Sequence, residues 1–158
     1  MDSTTGVRFG LATPAEVAGK TGRQVLQAIV DGALPQPPIC ETMSFRIVEV
    51  GDGFAAFAGE PGRHLLNPMG GVHGGWALTL IDSACGCAGH SLLPVGAGYA
   101  TVETKGNLSR PITPEIPSVR CEGRVISRGR QIISAEAKVL DPDGKVLAHG
   151  TSTLLVLS

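Results

Sequence analysis

Hydrophobic positions change period along the chain, and each change marks an element. Between residues 15 and 32, Val17, Val25, Leu26, Ile29 and Val30 recur at helical spacing and stop at Gly32, which predicts an amphipathic helix with a glycine end. The proline-rich stretch 34–39 then breaks regular structure. Two strand signals follow, 42–50 and 53–59, joined by Gly51-Asp52 at a hairpin turn. Residues 72–93 are rich in Ala, Leu and Gly and hold no proline. Apolar on nearly every side, they predict one long helix with no solvent face. Gly74, Gly75, Gly86 and Gly89 weaken that helix, and the expected compensation is close approach of a surrounding sheet.

Beyond the loop 94–98 the period becomes two. Residues 99–110 read as a strand. Over 118–126, Val119, Cys121, Gly123 and Val125 face inward while Arg120, Glu122 and Arg124 face out. Ile133, Ala135, Ala137 and Val139 form the next inner face, and Asp141-Pro142-Asp143-Gly144 turns into a last strand over 145–157. Residues 1–14 show no period and read as a loose leader. The order helix, two strands, long helix, four strands predicts an α+β layer fold: an antiparallel sheet of five or six strands wrapped around one long buried helix, preceded by an N-terminal helix. A single sheet keeps an open edge, which a second copy commonly covers, so a dimer is expected. The chain divides into a leader and helix, 1–40, packed on a domain of 41–158.

Composition narrows the function. The 158 residues fit one domain, and with aromatics at 4% the core is built from Ala, Val, Leu and Ile. A net charge of -1 excludes a polyanion binder working by bulk charge, so no nucleic-acid partner is expected. The start lacks the basic and apolar regions of a signal peptide, and no apolar run reaches membrane-spanning length. The expectation is a soluble, cytoplasmic protein with no membrane partner. Cys40, Cys85, Cys87 and Cys121 form no C-x-x-C and no zinc spacing. Cys85 and Cys87 fall about 200° apart around a helix, so no shared metal is expected, and all four read as buried reduced thiols.

The chemistry concentrates in residues 67–82. From His64 to Thr104 the charged residues, histidine aside, are Asp82 and Glu103. A carboxylate within an apolar helix is costly to bury unless paired. Asp82 is therefore either a structural group bonding a neighbouring turn or a carboxylate lining a cleft, where it suits a general base. Gly70-Gly71-Val72-His73-Gly74-Gly75 leads into the same helix. The first N–H groups of a helix lack internal partners and carry the positive end of its dipole, so Gly74 and Gly75 can receive a carbonyl oxygen closely. The alternative for these glycines is a tight turn and nothing more. His73 either shapes this end of a site or caps the helix start. Asp82 lies nine positions after His73, about 13 Å further along a helix and about 180° around it. One small carbonyl group cannot touch both within one chain, so a site that uses both is shared between two chains.

The pattern Asn67-x5-His73-Gly74-Gly75-x6-Asp82, the sheet-wrapped helix and the later Thr101…Arg110-Pro111 strand resemble the hotdog-fold acyl-CoA thioesterases, and among them the branch associated with phenylacetate degradation. The resemblance covers roughly 42–157. It implies hydrolysis of an acyl-CoA thioester in a homodimer that often pairs into a tetramer. Asp82 matches the family's catalytic carboxylate, acting as general base toward water or as nucleophile. Gly74 matches the backbone donor to the thioester carbonyl, His73 and Asn67 the pair that shapes that end of the site, and Thr101 the hydroxyl that helps hold the attacking water. No cofactor is implied beyond the coenzyme A carried by the substrate.

The coenzyme needs a seat for its phosphates. Six basic residues lie between Lys105 and Arg130 and none between His64 and Thr104. Arg128 and Arg130, at a predicted hairpin, either hold a phosphate by charge-assisted bonds or solvate the turn. Arg110 is a weaker candidate. Gly75 and Trp76 are expected against the substrate, with Leu80, Phe54, Phe57 and Met69 around the acyl group. The phenylacetate resemblance tilts the acyl group toward aryl or arylacetyl over medium-chain. Two other readings remain: a non-catalytic acyl-CoA-binding or regulatory module, which would usually carry a DNA-binding segment, and a hotdog hydratase or dehydratase, which would use a different local His and carboxylate pair.

Overall fold

A computed structural model describes residues 6–158. Its elements run α1 (Pro14–Val17), α2 (Gly22–Val30), α3 (Pro38–Thr42), β1 (Phe45–Gly51), β2 (Phe54–Gly59), a 3-10 turn at Arg63–Leu65, α4 (Gly74–His90), β3 (Gly98–Leu108), β4 (Val119–Arg128), β5 (Ile132–Leu140) and β6 (Val146–Leu157). The six strands form one antiparallel sheet in the order β1-β2-β4-β5-β6-β3. It curls around α4, which packs against every strand. This is the sheet-wrapped helix expected from the sequence, with the larger strand count of the two. Among the described residues no helix is long and apolar enough to cross a membrane.

The N-terminal part departs from the expectation in three ways. The helix expected over 15–32 is two helices, because two capping boxes lie in series. Thr13 with Glu16 starts α1 and Thr21 with Gln24 starts α2, each hydroxyl meeting the backbone N–H three residues on. Gly19, at φ 74°, takes the turn between them, and Gly32, at φ 79°, supplies the expected glycine end. The strand expected from residue 42 starts at Phe45, since Pro38 occupies the first turn of α3. Ser44, at φ 52°, then reverses the chain with its hydroxyl 2.9 Å from His64 Nε2.

The leader is not loose where it is described; residues 1–5 lie outside that part. Phe9 bridges to Gln36 in parallel, with Gly10 N–H on the Gln36 carbonyl at 2.9 Å and Gln36 N–H on the Arg8 carbonyl at 2.8 Å. The buried Gln36 side chain continues this line. Its amide donates to the Ile47 carbonyl at 3.0 Å and its oxygen accepts the Ile47 N–H at 3.1 Å. A side-chain amide thus takes the place of a neighbouring strand at the outer edge of β1.

Gly74, Gly86 and Gly89 meet the sheet as expected, whereas Gly75 meets the His73 ring. At Gly86 a Cβ would strike the Tyr99 ring, and at Gly89 a methyl of Leu154. The sheet contributes Gly123, which lies against the backbone of α4 itself: a Cβ there would collide with the Ala84 carbonyl. Large side chains fill the flanks, with Trp76, Leu80, Ile81, Ile133 and Leu154 at most 1% exposed. The four cysteines are free, and Cys40, Cys85 and Cys121 are buried. Burial pushes the Cys40 and Cys85 thiols up to about 12.

The helix α4 is buried on nearly all sides, as expected, with one exception. The helix is not sealed all round: Leu78 is 37% exposed, and Thr79, Asp82 and Ser83 are half-buried. These positions form one open stripe beside β3, an edge strand bonded only to β6. Val102 and Leu108 on that strand are 57% and 56% exposed.

The hard contact between sheet and helix is testable. Gly123→Ala should lower unfolding free energy by about 2–3 kcal/mol, read as a drop in the urea midpoint at constant slope. Gly98→Ala, where a Cβ meets nothing within 4 Å, should stay within about 0.5 kcal/mol of wild type. Equal midpoints for the two variants would show that the helix does not rest on the Gly123 backbone.

Candidate active site

The loop before α4 is built around Asn67. Its carbonyl accepts the Gly70 N–H at 3.0 Å, and its N–H reaches the Gly71 carbonyl at 2.8 Å. Its side-chain oxygen accepts from Met69 N–H at 2.9 Å and Gly71 N–H at 3.2 Å. Gly70, at φ 86°, completes the turn. The chain leaves it pinned on both sides, with Val72 N–H on the Ile112 carbonyl and His73 N–H on the Leu65 carbonyl. His73 therefore arrives at the N-cap of α4 in fixed register.

His73 caps the helix through its ring: Nδ1 accepts the Gly75 N–H at 2.9 Å. That acceptor role assigns the proton of the neutral imidazole to Nε2. It also separates the two glycines expected to act together. The Gly75 N–H is already bonded, whereas the Gly74 N–H has no partner among the described residues. Gly74 lines a cavity of about 270 Å³ with Val72, Leu108, Ser109, Arg110 and Ile112. The helix start thus keeps one N–H without a partner among the described residues, at the positive end of the dipole, on a residue that lines a hollow together with Arg110.

Asp82 stands eight residues along, about 12 Å by helix rise, on the open stripe facing β3. Its Oδ1 accepts from Thr101 Oγ1 at 2.9 Å and Thr104 Oγ1 at 3.2 Å. Thr101 was expected to help hold the attacking water, and Thr104 was not expected on the same face, because residues three apart on a regular strand face opposite ways. A bulge removes that conflict. Thr101 pairs with Leu154, Glu103 with Thr153 and Thr104 with Ser152, so Val102 is an extra residue. Leu154 and Ser152 both point inward, and both threonines follow them onto the carboxylate.

Other expected residues lie elsewhere. Trp76 is 1% exposed, its ring packed on Gly59 and its Nε1 donating to the Met43 carbonyl, so it belongs to the core rather than to an open pocket. Leu80 and Phe57 are buried likewise, and Met69 is almost fully exposed. Arg128 donates to the Leu92 carbonyl at 2.6 Å and ties β4 to the chain leaving α4. Arg130 is exposed in the β4–β5 turn. The two guanidiniums therefore do not converge on one vacant seat, and Arg110 is the basic residue that the structure brings to the Gly74 cavity. No group of three or more His, Cys, Asp or Glu is placed to hold a metal ion among the described residues.

Comparison with known proteins decides the family. The thioesterase superfamily profile matches residues 69–148, half of the chain, from the loop before α4 into β6. The chain belongs to the thioesterase superfamily. A conserved protein of Pseudomonas aeruginosa is 32% identical, with 76% of this chain and 94% of that one covered at a TM-score of 0.71. A thioesterase family protein from Silicibacter pomeroyi is 30% identical, covering 84% and 98% at a TM-score of 0.73. A phenylacetic acid degradation-related protein from Ralstonia eutropha shares the hotdog fold at 24% identity, covering 82% and 98% with a TM-score of 0.74. A comparison with curated proteins gives no match. As a member of the thioesterase superfamily the chain is a thioester hydrolase.

The loop geometry yields a direct test. In Asn67→Ala the Met69 and Gly71 amides lose their acceptor, so their hydrogen exchange should speed up and stability fall by about 1 kcal/mol. Asn67→Asp keeps an acceptor oxygen and should leave both amides protected. Unchanged exchange in the alanine variant would take Asn67 out of the loop's construction.

Proposed function

We propose that the chain hydrolyses acyl-CoA thioesters, with aryl or arylacetyl groups as the preferred acyl part. The observation that carries this reading is the hydroxyl-held Asp82 carboxylate on the same helix as an unpaired Gly74 N–H beside a cavity. The carboxylate takes a proton from water as its oxygen adds to the thioester carbonyl carbon. The carbonyl oxygen gains negative charge against the Gly74 N–H, a donor of the kind worth roughly 3–4 kcal/mol of barrier. The carbon–sulfur bond then breaks, the sulfur leaves as thiolate, and the carboxyl proton passes to it, giving free acid and coenzyme A thiol. His73 and Asn67 hold the loop that presents Gly74. Arg110 is the basic residue at the Gly74 end of the site. The arylacetyl preference rests on the likeness to the phenylacetic acid degradation-related protein.

Two copies complete the site. Along one chain, Gly74 and Asp82 are too far apart to grip one carbonyl. The helix runs antiparallel to β3, with Gly74 over Leu108 and Asp82 over Thr101 and Thr104. A second copy paired antiparallel on the free edge of β3 brings the Thr101 end of one strand toward the Leu108 end of the other. Asp82 of each chain then works with Gly74 of its partner, and the exposed Leu78, Val102 and Leu108 are covered.

Thiol release from phenylacetyl-, hydroxybenzoyl- and octanoyl-CoA should show steady turnover by wild type and a loss of at least ~100-fold in Asp82→Asn. Full activity in that variant would remove Asp82 from catalysis. No turnover of any thioester, with tight coenzyme A binding, would leave a binding module. Single turnover in ¹⁸O-water should place the label in the product acid; label in Asp82 would make it the nucleophile instead.

The shared site predicts complementation. Asp82→Asn and Gly74→Pro chains, the second lacking the N–H at a first helical position that tolerates proline, should each be inactive alone and regain about a quarter of wild-type activity when refolded as a mixture, since half the dimers then hold one intact site. No recovery, with mixed dimers shown by mass spectrometry, would place each site within one chain.

A further inference from the structure

The two hydroxyls on Asp82 differ in what stands behind them. Thr101 is exposed, at the open end of the strand, and its hydroxyl has no other partner among the described residues. Thr104 is half-buried, and its Oγ1 lies 2.8 Å from the Oγ of Ser152, a residue 1% exposed directly across the strand pair. The direction of each bond follows from counting protons. Ionised Asp82 can only accept, so Thr104 donates its single hydroxyl proton to Oδ1. Only lone pairs then remain on Thr104 to face Ser152, so Ser152 is the donor of that pair. The result is a one-way chain, Ser152 to Thr104 to Asp82, whose inner end is locked in the core between β3, β6 and α4.

The bulge at Val102 makes this chain possible, since an unbulged β3 would turn either Thr101 or Thr104 to the outer face. One threonine would be enough to bond a static carboxylate. A base that meets water needs more, because a hydroxyl cannot hold the carboxylate and donate to the water at once. We propose that Thr104, oriented by Ser152, is the positioning residue of Asp82, and that it leaves Thr101 free to turn its hydroxyl toward the attacking water. Thr104 holds Oδ1 throughout the cycle and Oδ2 stays aimed at the open stripe. This inference rests on the reading of Asp82 as the catalytic carboxylate.

The test is steady-state thiol release by the full chain with a thioester that wild type turns over, alongside urea unfolding of each variant. Thr104→Val, close in shape but without the hydroxyl, should lower kcat about 10–30-fold with KM within about twofold. Thr104→Ser, which restores the donor, should return kcat to within about threefold of wild type. Ser152→Ala should lower kcat about 3–10-fold. Adding Thr104→Val to Asp82→Asn should cause no further loss, because a positioning residue acts only through the group it positions.

A Thr104→Val enzyme with wild-type kcat, beside an Asp82→Asn enzyme that has lost turnover, overturns the inference and leaves the functional reading standing. Wild-type turnover in Asp82→Asn overturns both. Equal losses in Thr104→Val and Thr104→Ser also overturn it, since the hydroxyl would then not matter. If Thr104→Val does not fold, Ser152→Ala decides the question, and an unchanged kcat there counts against the proposal.

Discussion

Everything in this molecule follows from how closely α4 lies on its sheet. At Gly123 no side chain separates the two backbones, and Gly86 and Gly89 admit Tyr99 and Leu154 into the helix surface in the same way. Helical glycine is unfavourable in isolation, yet here each one removes a spacer that would lift the helix away. The shortened distance lets six strands bend around one helix, with small residues at the floor and large ones on the flanks. It also brings the edge strand β3 within hydrogen-bonding reach of the helix, so that an acid on α4 can be held by hydroxyls of the sheet.

The two chemical features are made by different means. At the helix start the geometry is a matter of backbone: Asn67 folds the loop, His73 caps one of the first amides, and the other stays available. At Asp82 it is a matter of register, since one surplus residue in β3 converts an alternating strand into a two-pronged clamp. The first feature is polar because a helix must begin somewhere. The second requires a specific irregularity, of the kind that commonly sits beside active sites.

That contrast explains how much could be read in the sequence. The long apolar helix and the alternating strands were legible because each repeats a period set by backbone geometry, while the first hairpin turns at Asp52-Gly53, one residue later than the expected Gly51-Asp52. Asn67, His73, Gly74 and Asp82 stood out as candidates because they interrupt that pattern with chemistry it does not need. Thr104 was not, because strict alternation places it opposite Thr101 and nothing local announces the bulge at Val102. Trp76 was misplaced for a related reason. Its helical position is plain in the sequence, but that Gly59 makes room for its ring depends on a contact between elements far apart in the chain. The division of the first helix was present in the letters as a second threonine and glutamine pair three apart, masked by the apolar spacing that runs across it.

The amide of Gln36, laid along Ile47 like a borrowed strand, bears on how far such molecules can stack. A sheet with two bare rims is a template for endless addition, chain upon chain. Here the β1 rim is already satisfied at Ile47 by the protein's own side chain and strapped by residues 8–10. The β3 rim has no such cover among the described residues. In the twofold pairing proposed above, that rim is used on both partners, and the composite sheet ends at two β1 borders, each occupied at Ile47. The same glutamine that anchors residues 8–10 therefore occupies, at Ile47, the outward backbone groups of β1 that an added strand would otherwise use.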